Sequence, residues 1–161
     1  MSENDAQLDT SSPPGWAARL AFNWQKTPGF RPGGRLADPP ADFASVDADP
    51  VAWIESRATL PYVIALGYLG LGEAVYVVAL PHSTWFARLQ RNPNVRLRIG
   101  KSVYAMHAIP VEDDEELRRM LERYNAKYVD WIAQYYGDSP YTIENVRNRV
   151  VPLRLAKRQR G

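Results

Sequence analysis

Between Val95 and Ile99 apolar and polar residues alternate, and the run ends at Gly100-Lys101. Val95, Leu97 and Ile99 recur at every second position, with Arg96 and Arg98 between them. That period belongs to a strand with one buried face. Glycine followed by one residue is a two-residue hairpin turn, because glycine reaches positive φ without a Cβ clash. Such a turn leaves a single register: Ile99 opposite Ser102, Leu97 opposite Tyr104, Val95 opposite Met106. Those six side chains share the inner face. Arg96, Arg98, Val103 and Ala105 share the other, with His107 nearby.

The remaining elements are read around this hairpin. Leu60–Leu66 and Ala74–Leu80 are strand-like runs. Gly67-Tyr68-Leu69-Gly70-Leu71-Gly72 between them reads as a turn whose glycines permit positive φ. It joins two strands, so it is not a dinucleotide fingerprint. Ser83 or Thr84 caps a helix ending at Asn92-Pro93, with Trp85, Phe86 and Leu89 on its buried side. Asp49-Pro50 starts a short helix through Trp53 and Ile54. Asp113 to Glu116 open a long helix carrying Leu117, Met120, Leu121, Tyr124, Tyr128, Trp131, Ile132 and Tyr135, with a break expected near Asn125 and an end at Gly137. Val150–Leu155 is the last strand, and Pro152 suits an edge position or a bulge. Trp16, Leu20 and Trp24 form one stripe of an early helix. The sum is an α+β chain, mainly β: a small barrel with flanking helices.

The 161 residues suit one domain over 15–161, with Met1–Pro14 as a disordered polar arm. That arm has none of the apolar run of a signal peptide. No segment approaches the roughly 18 apolar residues of a membrane span, so the cytoplasm is the expected place. The sequence has no cysteine, which removes disulfides, thiolate nucleophiles and cysteine-held metals. Two histidines without ligand spacing support no metal site and no histidine-based triad. A net charge of +2 makes no general nucleic-acid field, although Arg147, Arg149, Arg154, Lys157, Arg158 and Arg160 crowd the end. Those residues read most simply as a solvated strand end, and functionally as an anion-binding tail.

Four features carry candidate chemistry. His82-Ser83-Thr84 lies in a strand-to-helix loop, where backbone N–H groups meet anions. Arg57 stands before a strand, where its fork of donors can hold a phosphate or form a surface salt bridge. Tyr124, Tyr128, Trp131, Tyr135 and Tyr136 can fill a core or stack on a flat ring and donate to a substrate oxygen. Gly33-Gly34-Arg35 can bring N–H groups and a guanidinium to an anion.

The order strand, glycine turn, apolar strand, then Trp85-Phe86-Ala87-Arg88-Leu89-Gln90-Arg91-Asn92-Pro93-Asn94-Val95, then hairpin and acidic-start helix, resembles the deazaflavin-dependent nitroreductase family. The likeness runs over roughly residues 50–155. That family belongs to the split β-barrels of the flavin-reductase and pyridoxamine-phosphate-oxidase type. The resemblance implies a split β-barrel with flanking helices and a nitroreductase- or quinone-reductase-type oxidoreductase. It implies coenzyme F-420, a deazaflavin, or FMN as cofactor, and hydride transfer to a small organic acceptor. In these terms Arg57, Thr59, Pro61, His82, Ser83, Thr84 and Trp85 bind the cofactor, and Tyr128 or Tyr135 donates to the substrate. The chain lacks the family's Gly-Arg-x-Ser-Gly loop before Arg57. The alternatives are a non-catalytic split-barrel protein for an apolar or tetrapyrrole ligand and a small barrel that binds nucleic acid through the basic end. A homodimer is compatible with the leading reading.

Deleting residues 1–14 is expected to leave the melting temperature nearly unchanged, because the arm has no apolar face to pack. A loss of several degrees in a thermal melt contradicts this.

Overall fold

The computed structural model describes residues 34–57, 61–130, 132 and 141–159. The eight strands are β1 (Arg35–Leu36), β2 (Ala52–Arg57), β3 (Pro61–Leu66), β4 (Leu69–Leu71), β5 (Ala74–Ala79), β6 (Asn94–Ile99), β7 (Ser102–Pro110) and β8 (Val151–Lys157). The helices are α1 (Thr84–Arg91), α2 (Asp114–Lys127) and α3 (Ile143–Arg149), with a 3-10 turn at Phe43–Val46. Seven strands form one path, β3-β2-β6-β7-β8-β5-β4, antiparallel throughout. The two-residue β1 pairs in parallel with the start of β7, ahead of the stretch that β8 takes. The sheet curls into a mainly β half-barrel.

The β6–β7 hairpin holds the register its turn demands: Ile99 opposite Ser102, Leu97 opposite Tyr104, Val95 opposite Met106. Gly100 has φ +59, as a glycine-first turn requires. The inner face of the curl is one apolar core. Ile54, Tyr62, Ile64, Val75, Val77, Val95, Leu97, Met106, Leu153 and Leu155 meet there, and Phe43 enters from the 3-10 turn to pack edge-on against Tyr104 at 5.4 Å. Helix α1 closes one end with Trp85 and Leu89. On the outer face α2 and α3 cover β4 and β5 through Leu117, Met120, Leu121, Tyr124 and Val146.

Three expectations need correction. Trp53 and Ile54 lie in β2, not in a helix, because β2 has ladder partners on both sides: β3 across one edge and β6 across the other. Those pairings outweigh the local Asp-Pro start signal. Leu69–Leu71 is a strand rather than part of a turn, and the turn is confined to Gly72 and Glu73. Gly70 is there for close approach: a Cβ would sit 2.2 Å from the Phe43 carbonyl oxygen. Pro152 is not on an edge, since β8 lies between β7 and β5. It stands one residue past the end of the β7 pairing, and its carbonyl still accepts from Val111 N–H. The missing N–H is tolerated at that strand beginning. Finally α3 went unread, although Thr142 and Asn145 form a reciprocal capping box at its start.

Helix α2 stops at Lys127, close to the break expected near Asn125, and Asn125 exchanges two hydrogen bonds with the Tyr141 backbone. Two of the basic residues near the chain's end, Arg147 and Arg154, are paired with carboxylates. Arg147 bonds Asp114 and the Val111 and Glu112 carbonyls, and Arg154 bonds Glu116. The N-terminal arm, the stripe Trp16–Trp24, Gly33 and Gly137 lie outside the described residues. Among the described residues no helix is long and apolar enough to cross a membrane.

Val95 is fully buried and Arg98 is not. Val95→Asp is expected to destabilise by more than ~2 kcal/mol, because it buries an unpaired charge. Arg98→Ser is expected to cost under ~1 kcal/mol in the same urea titration. The opposite ranking contradicts the register.

Candidate functional site

Strand β2 divides its side chains by face. Ile54 and Ser56 point into the barrel, and Glu55 and Arg57 point outward. Glu55 is completely buried, and its Oε1 accepts from Arg57 Nε at 2.6 Å. Its Oε2 has no partner. Arg96 lies opposite Glu55 in the ladder. Arg158 reaches the Val95 and Met106 carbonyls of the same sheet. Burial first, then the positive charges of Arg57 and Arg96, lower the Arg158 pKa from its ordinary value. The outer face of β2 and β6 thus holds Glu55 paired with Arg57, with Arg96 across the ladder and Arg158 on neighbouring backbone carbonyls.

The inner face is built differently. Arg88 of α1 donates from Nε to Ser56 Oγ at 3.2 Å, and its guanidinium carbon lies 5.3 Å from the centre of the Tyr62 ring. Ser56 Oγ donates to the Tyr62 carbonyl. Burial raises the Tyr62 pKa and the Arg88 charge opposes it. Arg88 Nη2 is buried without an acceptor, and no carboxylate pairs with Arg88 among the described residues. One residue beyond α1, Asn92 donates to the Arg57 carbonyl at 2.6 Å and accepts from Asn94 N–H. The asparagine–proline segment therefore clasps the helix to the end of β2. Ser56 and Tyr62, both buried, and the half-buried Arg88 form a polar cluster at that end, or mouth, of the barrel.

The structure separates the residues singled out in the sequence into two groups. Arg57 and Pro61 are ladder partners at the β2–β3 end. His82, Ser83 and Thr84 lie before or at the other end of α1, whose eight residues span about 12 Å. Ser83 occupies the N-cap position, but its side chain accepts no helix N–H, and its hydroxyl donates to the Leu80 carbonyl. His82 and Thr84 are exposed, and Trp85 is a core residue at 4% exposure. Thr59 and Tyr135 lie outside the described residues. Glu55, Ser56, Tyr62 and Arg88 were not singled out. One signal was present: Arg88 is three residues after Trp85 and one before Leu89, a charge on the buried side of α1.

Tyr128 is placed as an anchor. Its hydroxyl accepts from Tyr68 N–H at 2.8 Å and lies 2.7 Å from the Pro50 carbonyl and 2.9 Å from that of Tyr68. Beside it Lys127 pairs with Asp47 and sits 3.7 Å over the Tyr68 ring. A Cβ at Gly67 would press on the hydroxyls of Tyr124 and Tyr128 at 3.1 and 3.2 Å. These contacts bind residues 46–50 and the start of β4 to the end of α2. A separate cleft of about 470 Å³ lies between the β4–β5 turn and α2, lined by Tyr76, Glu116, Arg119 and Arg123 among others, and holds none of the residues above.

Residues 54–143 match the model of the F420H(2)-dependent quinone reductase family. No curated protein gives a match. Among solved structures, an F420-H2 dependent reductase is similar at 16% identity and TM-score 0.52, over 78% of this chain and 100% of the other. A Bacteroides thetaiotaomicron protein described as a candidate 5-nitroimidazole antibiotic resistance protein is similar at 16% identity and TM-score 0.56, over 72% and 76%. The heme storage protein of Vibrio cholerae is similar at 15% identity and TM-score 0.53, over 71% and 86%. These likenesses identify the fold as a split β-barrel.

Burial raises the pKa of Tyr68 and of Tyr128 beyond the ordinary tyrosine range. Burial and the hydrogen bond to Glu116 push that of Tyr76 up to about 12. Each raised value contributes stability that is full below the unfolded tyrosine pKa of roughly 10 and is lost as pH rises through the folded value. Unfolding free energy is therefore expected to fall from about pH 10 upward, with a fraction of the phenolate signal appearing only on unfolding. Reversible ionisation of every tyrosine near pH 10 with unchanged stability contradicts this anchoring.

Proposed function

The chain belongs to the quinone reductase family whose model it matches, and we propose that it is a deazaflavin-dependent reductase that passes hydride to a small quinone or nitro acceptor. The observation that carries this reading is the extent of the match. Residues 54–143 begin in β2 and include β3, α1, the β6–β7 hairpin and α2. They therefore include every element that builds the polar mouth.

When bound, the deazaflavin or flavin supplies the hydride chemistry, and the protein supplies binding, orientation and exclusion of water. The residues present fit a phosphate-bearing cofactor at one point above all. A buried guanidinium N–H without an acceptor is a cost that an anionic ligand removes. Arg57 and Pro61 belong to the same end of the barrel as this group. His82, Ser83 and Thr84 stand at the far end of α1 and can serve only a different part of an extended ligand. Tyr128, with its hydroxyl held by backbone groups, supports the walls of the fold, and the neutral phenol of Tyr62 is the donor that the mouth itself offers.

Fluorescence titration with coenzyme F-420 and with FMN tests the proposal, followed by mixing the loaded protein in its reduced form with a small quinone. Micromolar binding of either cofactor and return of its oxidised absorbance on adding the quinone are expected. If neither cofactor binds at micromolar concentration, the reductase reading fails. Saturable heme binding in the same preparation would then favour a tetrapyrrole-binding protein.

A further inference from the structure

We propose that Arg88, with the Ser56 hydroxyl and the Tyr62 phenol, forms a seat for a phosphate group at the mouth of the barrel, and that this seat does the work of the glycine–arginine loop the chain lacks. The inference rests on the reading of the chain as a reductase with a phosphate-bearing cofactor.

The choice between the two arginines at this end of the barrel follows from their partners. Arg57 is on the outer face, and Glu55 takes its Nε at 2.6 Å. A carboxylate that is wholly buried needs its cation, so removing Arg57 to a ligand would leave Glu55 uncompensated. Arg88 has the opposite accounting. It is half-buried, it enters from a helix whose neighbouring Trp85 and Leu89 are in the core, and its polar contacts are neutral: one hydroxyl and the face of one ring. Its Nη2 is buried with nothing to donate to. A charged donor in that position, fixed by packing, by the Ser56 hydroxyl and by the face of the Tyr62 ring, is preorganised for an oxyanion. Ser56 and Tyr62 are ladder partners on β2 and β3, so the two hydroxyl-bearing residues come from rigid strands on the same inner face. Asn92 holds the helix that carries Arg88 to the end of β2.

The test uses the full chain and the variants Arg88→Ala, Arg88→Gln and Arg57→Ala, each checked for its circular dichroism spectrum. Two readouts separate the seat from the wider reading. In the first, FMN and riboflavin are compared, as are coenzyme F-420 and its phosphate-free deazariboflavin core. Arg88→Ala is expected to weaken the phosphate-bearing ligands about 10- to 100-fold, the range for a hydrogen bond to a charged group, while leaving the phosphate-free ligands within about 3-fold. Arg88→Gln keeps the packing of the stem and is expected to lose the same selectivity. Arg57→Ala is expected to retain it. In the second readout, inorganic phosphate at matched ionic strength is expected to raise the melting temperature of the unsubstituted protein but not of the Arg88 variants. Equal losses for phosphate-bearing and phosphate-free ligands, or loss of selectivity in Arg57→Ala alone, overturn the seat. If no flavin or deazaflavin binds, the reductase reading falls, and the phosphate melts then decide the seat by themselves. An Arg88-dependent shift upholds it, and equal or absent shifts in all proteins overturn it.

Discussion

Strand β2 is paired on both edges, to β3 and to β6, and that double pairing is the constraint on which the site depends. The register puts Ser56 opposite Tyr62 and Val95, and Glu55 opposite Val63 and Arg96. Side chains alternate with period two, so a slip of one residue would exchange the faces of Ser56 and Glu55. A carboxylate would then enter the apolar core and the serine would leave the barrel. The core residues Ile54, Leu97 and Val95 lock the register, because their burial is lost in any other pairing. The fold thus positions the chemistry through an apolar requirement that has no chemical role of its own.

The same alternation sorts the charges. Outward, the buried Glu55 is paired with Arg57, and burial, then the charges of Arg57 and Arg96, lower the Arg158 pKa. The Arg57–Glu55 pair is engaged within β2, and Arg158 ties the chain's end to the Val95 and Met106 carbonyls of β6 and β7. Inward, a single guanidinium stands without a counter-ion among the described residues, beside neutral groups. Burying part of a cation this way opposes folding unless it is compensated, and the interaction with the Tyr62 ring offsets only part of the penalty. A ligand with a negative group offsets the remainder. Residues that break the pattern of their element without a structural return are the ones to examine for function.

The legible parts of the sequence were those set by local geometry. Gly100-Lys101 dictated a turn, the turn dictated a register, and the register placed Val95, Leu97 and Met106 in the core. Asn92-Pro93 marked the end of α1 for an equally local reason. What was not legible depended on partners distant in sequence. The Asp49-Pro50 signal is a sound helix start, but two neighbouring strands recruit Trp53 and Ile54 into the sheet. Pro152 would weaken a fully paired strand position, but it lies just past the end of β7. Arg57 was visible as an arginine near a strand, whereas the carboxylate that engages it is two residues away on the same face and became visible only with burial. Tyr128 read as a group free to donate because its three backbone contacts come from residues 50 and 68.

The central claim is that a phosphate belongs on the inner face of β2, beside Arg88, and not on the outer face beside Arg57. The most direct measurement is a crystal structure of the protein with coenzyme F-420 or FMN bound. The account predicts a phosphate oxygen at hydrogen-bond distance, about 2.7–3.2 Å, from Arg88 Nη2 or Nη1, with the Arg57–Glu55 pair intact. A phosphate held by Arg57 or by the Gly34-Arg35 segment, with Arg88 Nη2 still lacking an acceptor, would contradict it.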